Sequence, residues 1–328
     1  ELINYKLLFF VYGLCALFVS FDLIIQYIFG TNLLGMRVEG DIRRLSGLFG
    51  DEYIAGSFVQ KFFIFLPYAI LYFSSMKNKI FLQLTIFSIF SVTLFGILVS
   101  GNRVPLIFSI FALSLLFIYE KKLRKLIGSA FIIFLILFAT LLKTNDETAS
   151  HFDNFQNKSS EFISYFKERF SAPENIKVKN IYIKEFESGI LTWQQNKTFG
   201  GGIKSFYFHC SSIKKDIMTR YIGSCNSHPH NYYLEIAASL GVVGLFLLII
   251  IFFIILTKSL ALLHFSNSMP KIRKIFIPFF IIFVLEIFPL KTTGSFFTTT
   301  NGNILFIILA FIVGLIEFNK IKNNYEKE

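Results

Sequence analysis

The sequence predicts an all-α protein, a polytopic transmembrane bundle of about eight helices with one large, mainly helical loop on its outer face. Three observations predict this class. Of the 328 residues, 54% are hydrophobic and 16% are charged, whereas a soluble domain averages nearer ~25% charged residues. The apolar residues form runs close to the ~20 residues that cross a bilayer. The lysines and arginines collect in the segments between those runs.

The apolar runs predict the spans in chain order. They cover residues 7–29, 54–73, 80–100, 104–119, 126–142, 234–257, 275–290 and 303–317. We expect the sixth to be an uninterrupted helix. Short connections between most spans predict antiparallel neighbours. The chain is accordingly divided into residues 1–142 with an outer loop at 30–53, a cap at 143–230, and residues 231–328 with three spans and a cytoplasmic tail.

The basic segments predict the orientation. They lie at residues 76–79, 120–125, 271–274 and 320–327. All fall on one side of the bundle, which the positive-inside rule makes cytoplasmic. The formal net charge of +11 therefore does not indicate nucleic acid as a partner, because the cations form no single patch.

The cap is polar but carries aromatic residues near helical spacing, among them Phe152, Phe155 and Phe162, which predicts helices. Cys210 and Cys225 both fall in it, and an oxidising compartment would pair them. Such a disulfide would stabilise the fold by ~3 kcal/mol; two free thiols are the alternative. Cys15, in the first span, is expected to be a small buried apolar residue.

Three outer-face arginines break the charge pattern. Arg43 and Arg44 lie in "RVEGDIRRLSGLFGDE", and Arg103 lies in "VSGNRVPLIF" between two spans. An arginine at membrane depth usually has an anionic partner, and guanidinium matches phosphate oxygens well. The alternative is that these side chains reach out to lipid headgroups. The acids Asp22 and Glu286 lie near span ends, where a functional role and simple exposure are both open.

Two histidines flank Pro229 in "CNSHPHNYYLEIAASLGVVG". Asn231 is a plausible N-cap for the sixth span, so His230 would lie at the positive end of a helix, placed to move a proton beside an anionic substrate. A structural role is the alternative, and we favour it for His228. A metal site is not expected, because the nearby His209, Asp216 and Glu235 lack ligand spacing.

These motifs resemble the O-antigen ligase superfamily, which also contains O-antigen polymerases. His230-Asn231, nine residues, Gly241, two residues and Gly244 are similar to the family's histidine motif. "SGNR" is similar to its Ser-Gly-Ser-Arg element, with Asn102 in place of serine. "RRLSGLFGDEYIAG" is similar to its Arg-x-x-Gly-x-Phe element. The family usually has about twelve spans, which leads us to expect that the first spans are absent here.

The resemblance implies a glycosyltransferase of the inner membrane that works on the periplasmic face without a metal or cofactor. Its donor would be a glycan on undecaprenyl pyrophosphate. Its acceptor would be a sugar hydroxyl, of lipid A-core for a ligase or of another repeat chain for a polymerase; we favour the ligase. Membrane lipids would surround it.

The resemblance also implies residue roles. His230 would be the general base or would orient the attacking acceptor hydroxyl, and Arg103, with Arg43 and Arg44, would bind the pyrophosphate. The family's further arginine before a Trp-containing helix is missing from "IKEFESGILTW", where Lys184 is the nearest cation. The supporting residues would be His228, Asn231, Glu235, Gly241 and Gly244, the two glycines allowing close helix packing.

A transporter of an anionic lipid or solute is the rival from another class. It would use Arg103, Asp22 and Glu286 as a midplane path. It predicts inverted repeats with broken helices in matching positions, which the sequence does not show.

Overall fold

The computed structural model describes residues 3–37, 44–171, 181–213, 225–264, 270–292 and 294–325. The described residues form helices joined by turns and short 3₁₀ segments. In chain order they are α1 (Tyr5–Phe29), α2 (Ala55–Phe62), α3 (Phe65–Phe73), α4 (Lys79–Val99), α5 (Arg103–Tyr119), α6 (Arg124–Thr144), α7 (Asp146–Ser171), α8 (Ile181–Gln195), α9 (Ser205–His209), α10 (Tyr232–His264), α11 (Pro270–Glu286) and α12 (Thr299–Tyr325).

The all-α, membrane-spanning class is confirmed. Within the described ranges, six helical segments are long and apolar enough to cross a bilayer: Tyr5–Phe29, Ala55–Phe73, Lys79–Val99, Lys121–Thr144, Tyr232–His264 and Asn301–Lys322. The other two predicted spans form α5 and α11, of 17 residues each. That length is at the lower limit for a membrane crossing.

The chain divides into two compact units. Unit 1 contains residues 1–155 and 273–285, and unit 2 contains residues 156–272 and 286–328. In unit 1, α1 packs against α4 through small residues: a Cβ on Gly96 would lie 2.8 Å from the Ser20 Cβ. A Cβ on Gly13 would lie 2.4 Å from the backbone nitrogen of Leu66, so α1 and α3 also touch closely. Small residues are what allow membrane helices to approach in this way.

Two spans are interrupted. Ala55–Phe73 breaks between α2 and α3 because Pro67 has no N–H to donate to the carbonyl of Phe63, four residues earlier. The expectation of an uninterrupted sixth span is wrong: Gly241 has φ 66° and ψ −168° inside α10. The expectation for Cys15 is also wrong, since this residue is exposed on α1, among apolar side chains that face outward from the protein.

Candidate functional site

The turn between α4 and α5 carries the first group of site residues. Ser100 Oγ accepts hydrogen bonds from the Asn102 backbone N–H at 3.3 Å and from Asn102 Nδ2 at 3.2 Å. Gly101 adopts φ 69°, a left-handed conformation that favours glycine. Arg103 is then the first residue of α5, at the positive end of the helix. Its guanidinium lies 5.4 Å from the centre of the Phe155 ring.

Arg44 joins this turn, so unit 1 brings two of the sequence motifs together. Its Nη2 donates to Asn102 Oδ1 at 3.2 Å, and its guanidinium lies 4.8 Å from the centre of the Tyr53 ring. The backbone N–H of Leu45 donates to the carbonyl of Ser100 at 3.1 Å. We call Arg44, Asn102 and Arg103 the arginine cluster. Arg43 lies outside the described residues.

A glycine brings α2 against the same turn. A Cβ on Gly56 would lie 2.4 Å from Ser100 Oγ and 2.9 Å from the Asn102 Cβ. Asn102 therefore does more than replace the family's serine, because its amide oxygen holds Arg44 while its amide nitrogen holds Ser100. This double contact could not be predicted from the sequence, because it joins Asn102 to a residue far away in the chain.

Buried polar residues on α1 and directly after it hold the loop that carries Arg44. Asp22 Oδ1 accepts the backbone N–H of Leu33 at 2.9 Å. Gln26 Oε1 accepts the N–H of Gly47, and Asn32 Nδ2 donates to the Gly47 carbonyl, both at 2.8 Å. Asp22 therefore has a structural role, because it holds the backbone of this loop. The other suspected acid, Glu286, is buried and paired with Lys291 at 2.7 Å.

In unit 2, residues 225–231, which we call the histidine segment, turn sharply into α10. His230 adopts φ 51°, a left-handed conformation that is uncommon for a residue other than glycine and occurs often at functional sites. Asn231 then caps the helix: its Oδ1 accepts the N–H of Tyr233 at 3.0 Å and of Leu234 at 3.2 Å. Asn231 Nδ2 donates to the carbonyl of Pro289 at 2.7 Å. The Asn231 N-cap thus fixes the start of α10 directly beside His230.

A carboxylate that the sequence reading missed faces His230. Glu185 Oε1 lies 3.7 Å from His230 Nε2 and accepts Asn226 Nδ2 at 3.2 Å. Burial raises the pKa of Glu185, and His230 and the Asn226 hydrogen bond lower it in part. A distance of 3.7 Å is too long for a hydrogen bond but suits an ion pair with a protonated imidazole.

Gly189 explains how α8 reaches the histidine segment. A Cβ there would lie 3.1 Å from the Pro229 Cβ and 3.2 Å from the Leu234 Cβ. Residues four apart share one face of a helix, so Glu185 lies one turn before this close contact. The available signal was a glutamate four residues before a glycine in a cap that was predicted to be helical.

Glu187 is a second buried acid on α8. It is 1% exposed, and burial raises its pKa to about 7. Its charge therefore changes near neutral pH, unlike that of an ordinary glutamate. This residue was also missed.

The remaining predicted residues occupy distinct places in unit 2. The His228 and His230 rings lie 4.3 Å apart, and His228 Nδ1 is 2.9 Å from Ser227 Oγ. Glu235 is buried and accepts hydrogen bonds from the Ser295 hydroxyl and the Phe296 N–H, which ties α10 to the segment after α11. Lys184 precedes Glu185 and so projects about 100° away around α8.

Cys210 and Cys225 form a disulfide, with their Cα atoms 5.6 Å apart. The bridge packs with Phe206, Ile213 and Leu191, so it fastens the histidine segment to a small apolar core. In the described part of the chain, no group of three or more histidine, cysteine, aspartate or glutamate residues could hold a metal ion.

The two glycines of the histidine motif lie at and just after the break in α10. A Cβ on Gly241 would lie 2.1 Å from the Thr198 carbonyl oxygen, and one on Gly244 would lie 2.2 Å from the Leu240 Cβ. The expected close packing is therefore against a loop and against the helix's own preceding turn.

Residues 87–249 match the family model of the O-antigen ligases. This chain carries an O-antigen ligase domain. As a member of the superfamily of O-antigen ligases and polymerases, it is a glycosyltransferase-type membrane enzyme that acts on lipid-linked glycans. The O-antigen ligase domain includes Arg103, Glu185 and His230, and Arg44 precedes it. No curated protein and no solved structure matches the chain.

Proposed function

We propose that this protein is an O-antigen ligase that transfers a glycan from undecaprenyl pyrophosphate to a sugar hydroxyl of lipid A-core. The reaction takes place on the periplasmic face of the bacterial inner membrane. The observation that carries the proposal is the geometry of His230. This residue is held in a left-handed turn beside a helix N-cap, and its Nε2 lies 3.7 Å from Glu185 Oε1.

The cations that would bind the leaving group lie in unit 1. The pyrophosphate departs readily once its negative charge is neutralised, which cations at fixed positions achieve. Arg103 at the start of α5 and Arg44 held by Asn102 supply two guanidinium groups suited to phosphate oxygens. Arg43 and Lys184 are further candidates from the sequence.

The base that would activate the acceptor lies in unit 2. His230 takes the proton from the acceptor hydroxyl as its oxygen bonds to the anomeric carbon of the donor sugar. The bond from that carbon to the pyrophosphate oxygen breaks, and undecaprenyl pyrophosphate leaves with the electron pair. Glu185 stabilises the imidazolium that forms, as a carboxylate beside a catalytic histidine does elsewhere. No metal or cofactor takes part in this scheme.

The test is substitution His230→Ala in the full-length gene, read as surface polysaccharide on a gel. We expect accumulation of long lipid-linked polymer that is not attached to core. His264→Ala is the matched control, because His264 lies at the far end of the same helix, and it should leave the glycan unchanged.

Two other results would contradict the proposal. Loss of chain elongation with attachment retained would identify a polymerase instead. Unchanged glycan with normal protein levels would remove His230 from the mechanism.

A further inference from the structure

The break in α10 is filled by another part of the chain. The N–H of Val242 donates to the Lys197 carbonyl at 2.8 Å, and the N–H of Val243 donates to the Thr198 carbonyl at 3.3 Å. On the other side of the break, the carbonyls of Ala238 and Ser239 accept the N–H groups of Gly201 and Gly202, both at 2.9 Å. Residues 197–202 thus satisfy the backbone groups that the interrupted helix leaves open, as an apolar environment requires.

The contact joins backbone to backbone. A Cβ on Gly200 would lie 2.3 Å from the Ser239 carbonyl carbon, and one on Gly241 would lie 2.1 Å from the Thr198 oxygen. Neither position has room for a side chain. Residues 197–202 are therefore fixed at one height along α10.

Beyond that height, many of the large apolar side chains of α10 are exposed. Ile236, Ala237 and Ala238 are buried, whereas large apolar side chains are exposed from Leu240 onward, including Val242 and Phe246. Residues 242–264 alone would extend about 34 Å at 1.5 Å per residue, enough for the ~30 Å hydrocarbon core. The break therefore lies at the boundary of the bilayer.

The segment that fills the break exposes apolar side chains of its own. Phe199 is 77% exposed, Ile203 63%, Tyr207 57% and Phe208 65%, while Phe206 points inward and is buried. Such side chains favour transfer out of water. Trp193 anchors the start of the segment, since its Nε1 donates to the Lys197 carbonyl at 3.0 Å.

Lys197 and Lys204 are both exposed beside these side chains. Aromatic rings with flanking lysines are typical of the membrane interface, where the rings enter the headgroup region and the ammonium groups meet anionic lipids. The exposed apolar surface is also continuous with that of α10, because hydrogen bonds fix Lys197 and Thr198 next to Val242 and Val243.

We propose that residues 199–208 form a lipid-contacting surface, which rests in the headgroup region of the bilayer leaflet at the Gly241 end of α10. The occupant is the bilayer itself, with Phe199, Ile203 and Phe208 entering it and the two lysines meeting phosphate groups. The surface goes beyond the proposed function, since it does not depend on which glycan is transferred. Its role is to hold the cap at a fixed depth beside the membrane.

The experiment uses the chain's single tryptophan. The background is Trp193→Phe, which loses the indole contact but not the four backbone hydrogen bonds between residues 197–202 and α10. In it, Phe199→Trp places the only indole on the surface, and Ile203→Trp is a second variant in case the first does not fold. Each full chain is reconstituted into phosphatidylcholine and phosphatidylglycerol liposomes, with or without brominated acyl chains. Glu161→Trp, at an exposed polar position of α7, is the control in the same background.

We expect brominated lipid to remove about half or more of the emission from position 199, because interfacial rings lie close to the acyl chains. Aqueous acrylamide should quench position 161 instead. Strong acrylamide quenching at positions 199 and 203 without lipid quenching would overturn the proposal. Protection from both quenchers would also overturn it, because it would mean that protein covers the surface.

Discussion

The arginine cluster of unit 1 and the histidine segment of unit 2 are positioned in different ways. Around Arg44 and Arg103, neutral groups set the geometry: the Ser100 hydroxyl, the Asn102 amide and the space left by Gly56. Around His230, a charged group is present, the carboxylate of Glu185. A base that becomes protonated is stabilised by a neighbouring carboxylate, whereas a guanidinium that binds phosphate oxygens must be held in place, as the Asn102 amide holds Arg44.

The two regions also differ in what their glycines touch. Gly56 approaches side chains, whereas Gly241 approaches the backbone of Thr198 and Phe199 at a positive φ. Side chains can rearrange, but a backbone contact in a left-handed conformation cannot accept a Cβ. We therefore expect substitutions in unit 1 to affect activity first and those at the α10 break to affect folding first.

The largest expected effect is that of Gly241→Ala. It should destabilise the protein by about 3 kcal/mol or more, because both the clash and the conformation oppose it. Gly128→Ala is the control, since nothing lies within 4 Å of its added Cβ. Thermal unfolding in detergent, followed by size-exclusion chromatography, compares them. Equal melting temperatures would show that the break is not rigid.

The next is Arg103→Lys, which keeps the charge but loses the planar fork. We expect activity to fall by about 100-fold, with protein levels unchanged, if the guanidinium binds the pyrophosphate through two hydrogen bonds. Arg124→Lys is the control, because Arg124 donates to the carbonyls of Phe117 and Ile118. The measurement is transfer from a purified lipid-linked donor. Full activity would mean that Arg103 acts only as a charge.

Glu185→Gln tests the carboxylate beside His230. We expect about a 10-fold loss of transfer, smaller than the loss of the base itself. Burial raises the pKa of Glu185. As the pH falls, the carboxylate in the unaltered protein therefore loses its charge at a higher pH than an ordinary glutamate would, and activity declines with it. The variant should lack this decline at mildly acidic pH. A pH profile of the rate decides it, and an unchanged profile would assign Glu185 to packing alone.

Asn102→Ala removes the contact that holds Arg44. One hydrogen bond of about 1 kcal/mol corresponds to about a 5-fold effect, which should appear as a higher KM for the donor at a similar kcat. Kinetics with varied donor concentration provide the measurement. A lower kcat at an unchanged KM would argue that Asn102 positions the reaction rather than the pyrophosphate.

The smallest expected effect is that of Glu187→Gln on stability. Burial raises the pKa of Glu187 to about 7 in the folded protein, so its contribution to stability is fully present below the unfolded pKa and is lost as the pH rises through about 7. The variant should therefore melt on the order of 2–4 °C higher at pH 8 and differ less at pH 5. Melting curves at the two pH values test this, and equal shifts at both would disprove it.

The sequence by itself determined the class of the molecule and the chemistry of its candidate residues. Long apolar runs require membrane helices because an unpaired backbone cannot enter lipid, and the motifs around Arg103 and His230 indicated the family that the domain match confirms. The helix cap at Asn231 followed from local rules, since a cap involves residues adjacent in the chain.

Only the tertiary structure decided which distant residues meet. Arg44 and Asn102 are 58 positions apart, and Glu185 precedes His230 by much of the cap, so no local pattern could join them. The break at Gly241 was hidden for the same reason. An apolar run reads as one helix until the backbone of residues 197–202 is present to accept and donate the hydrogen bonds that the interruption leaves open.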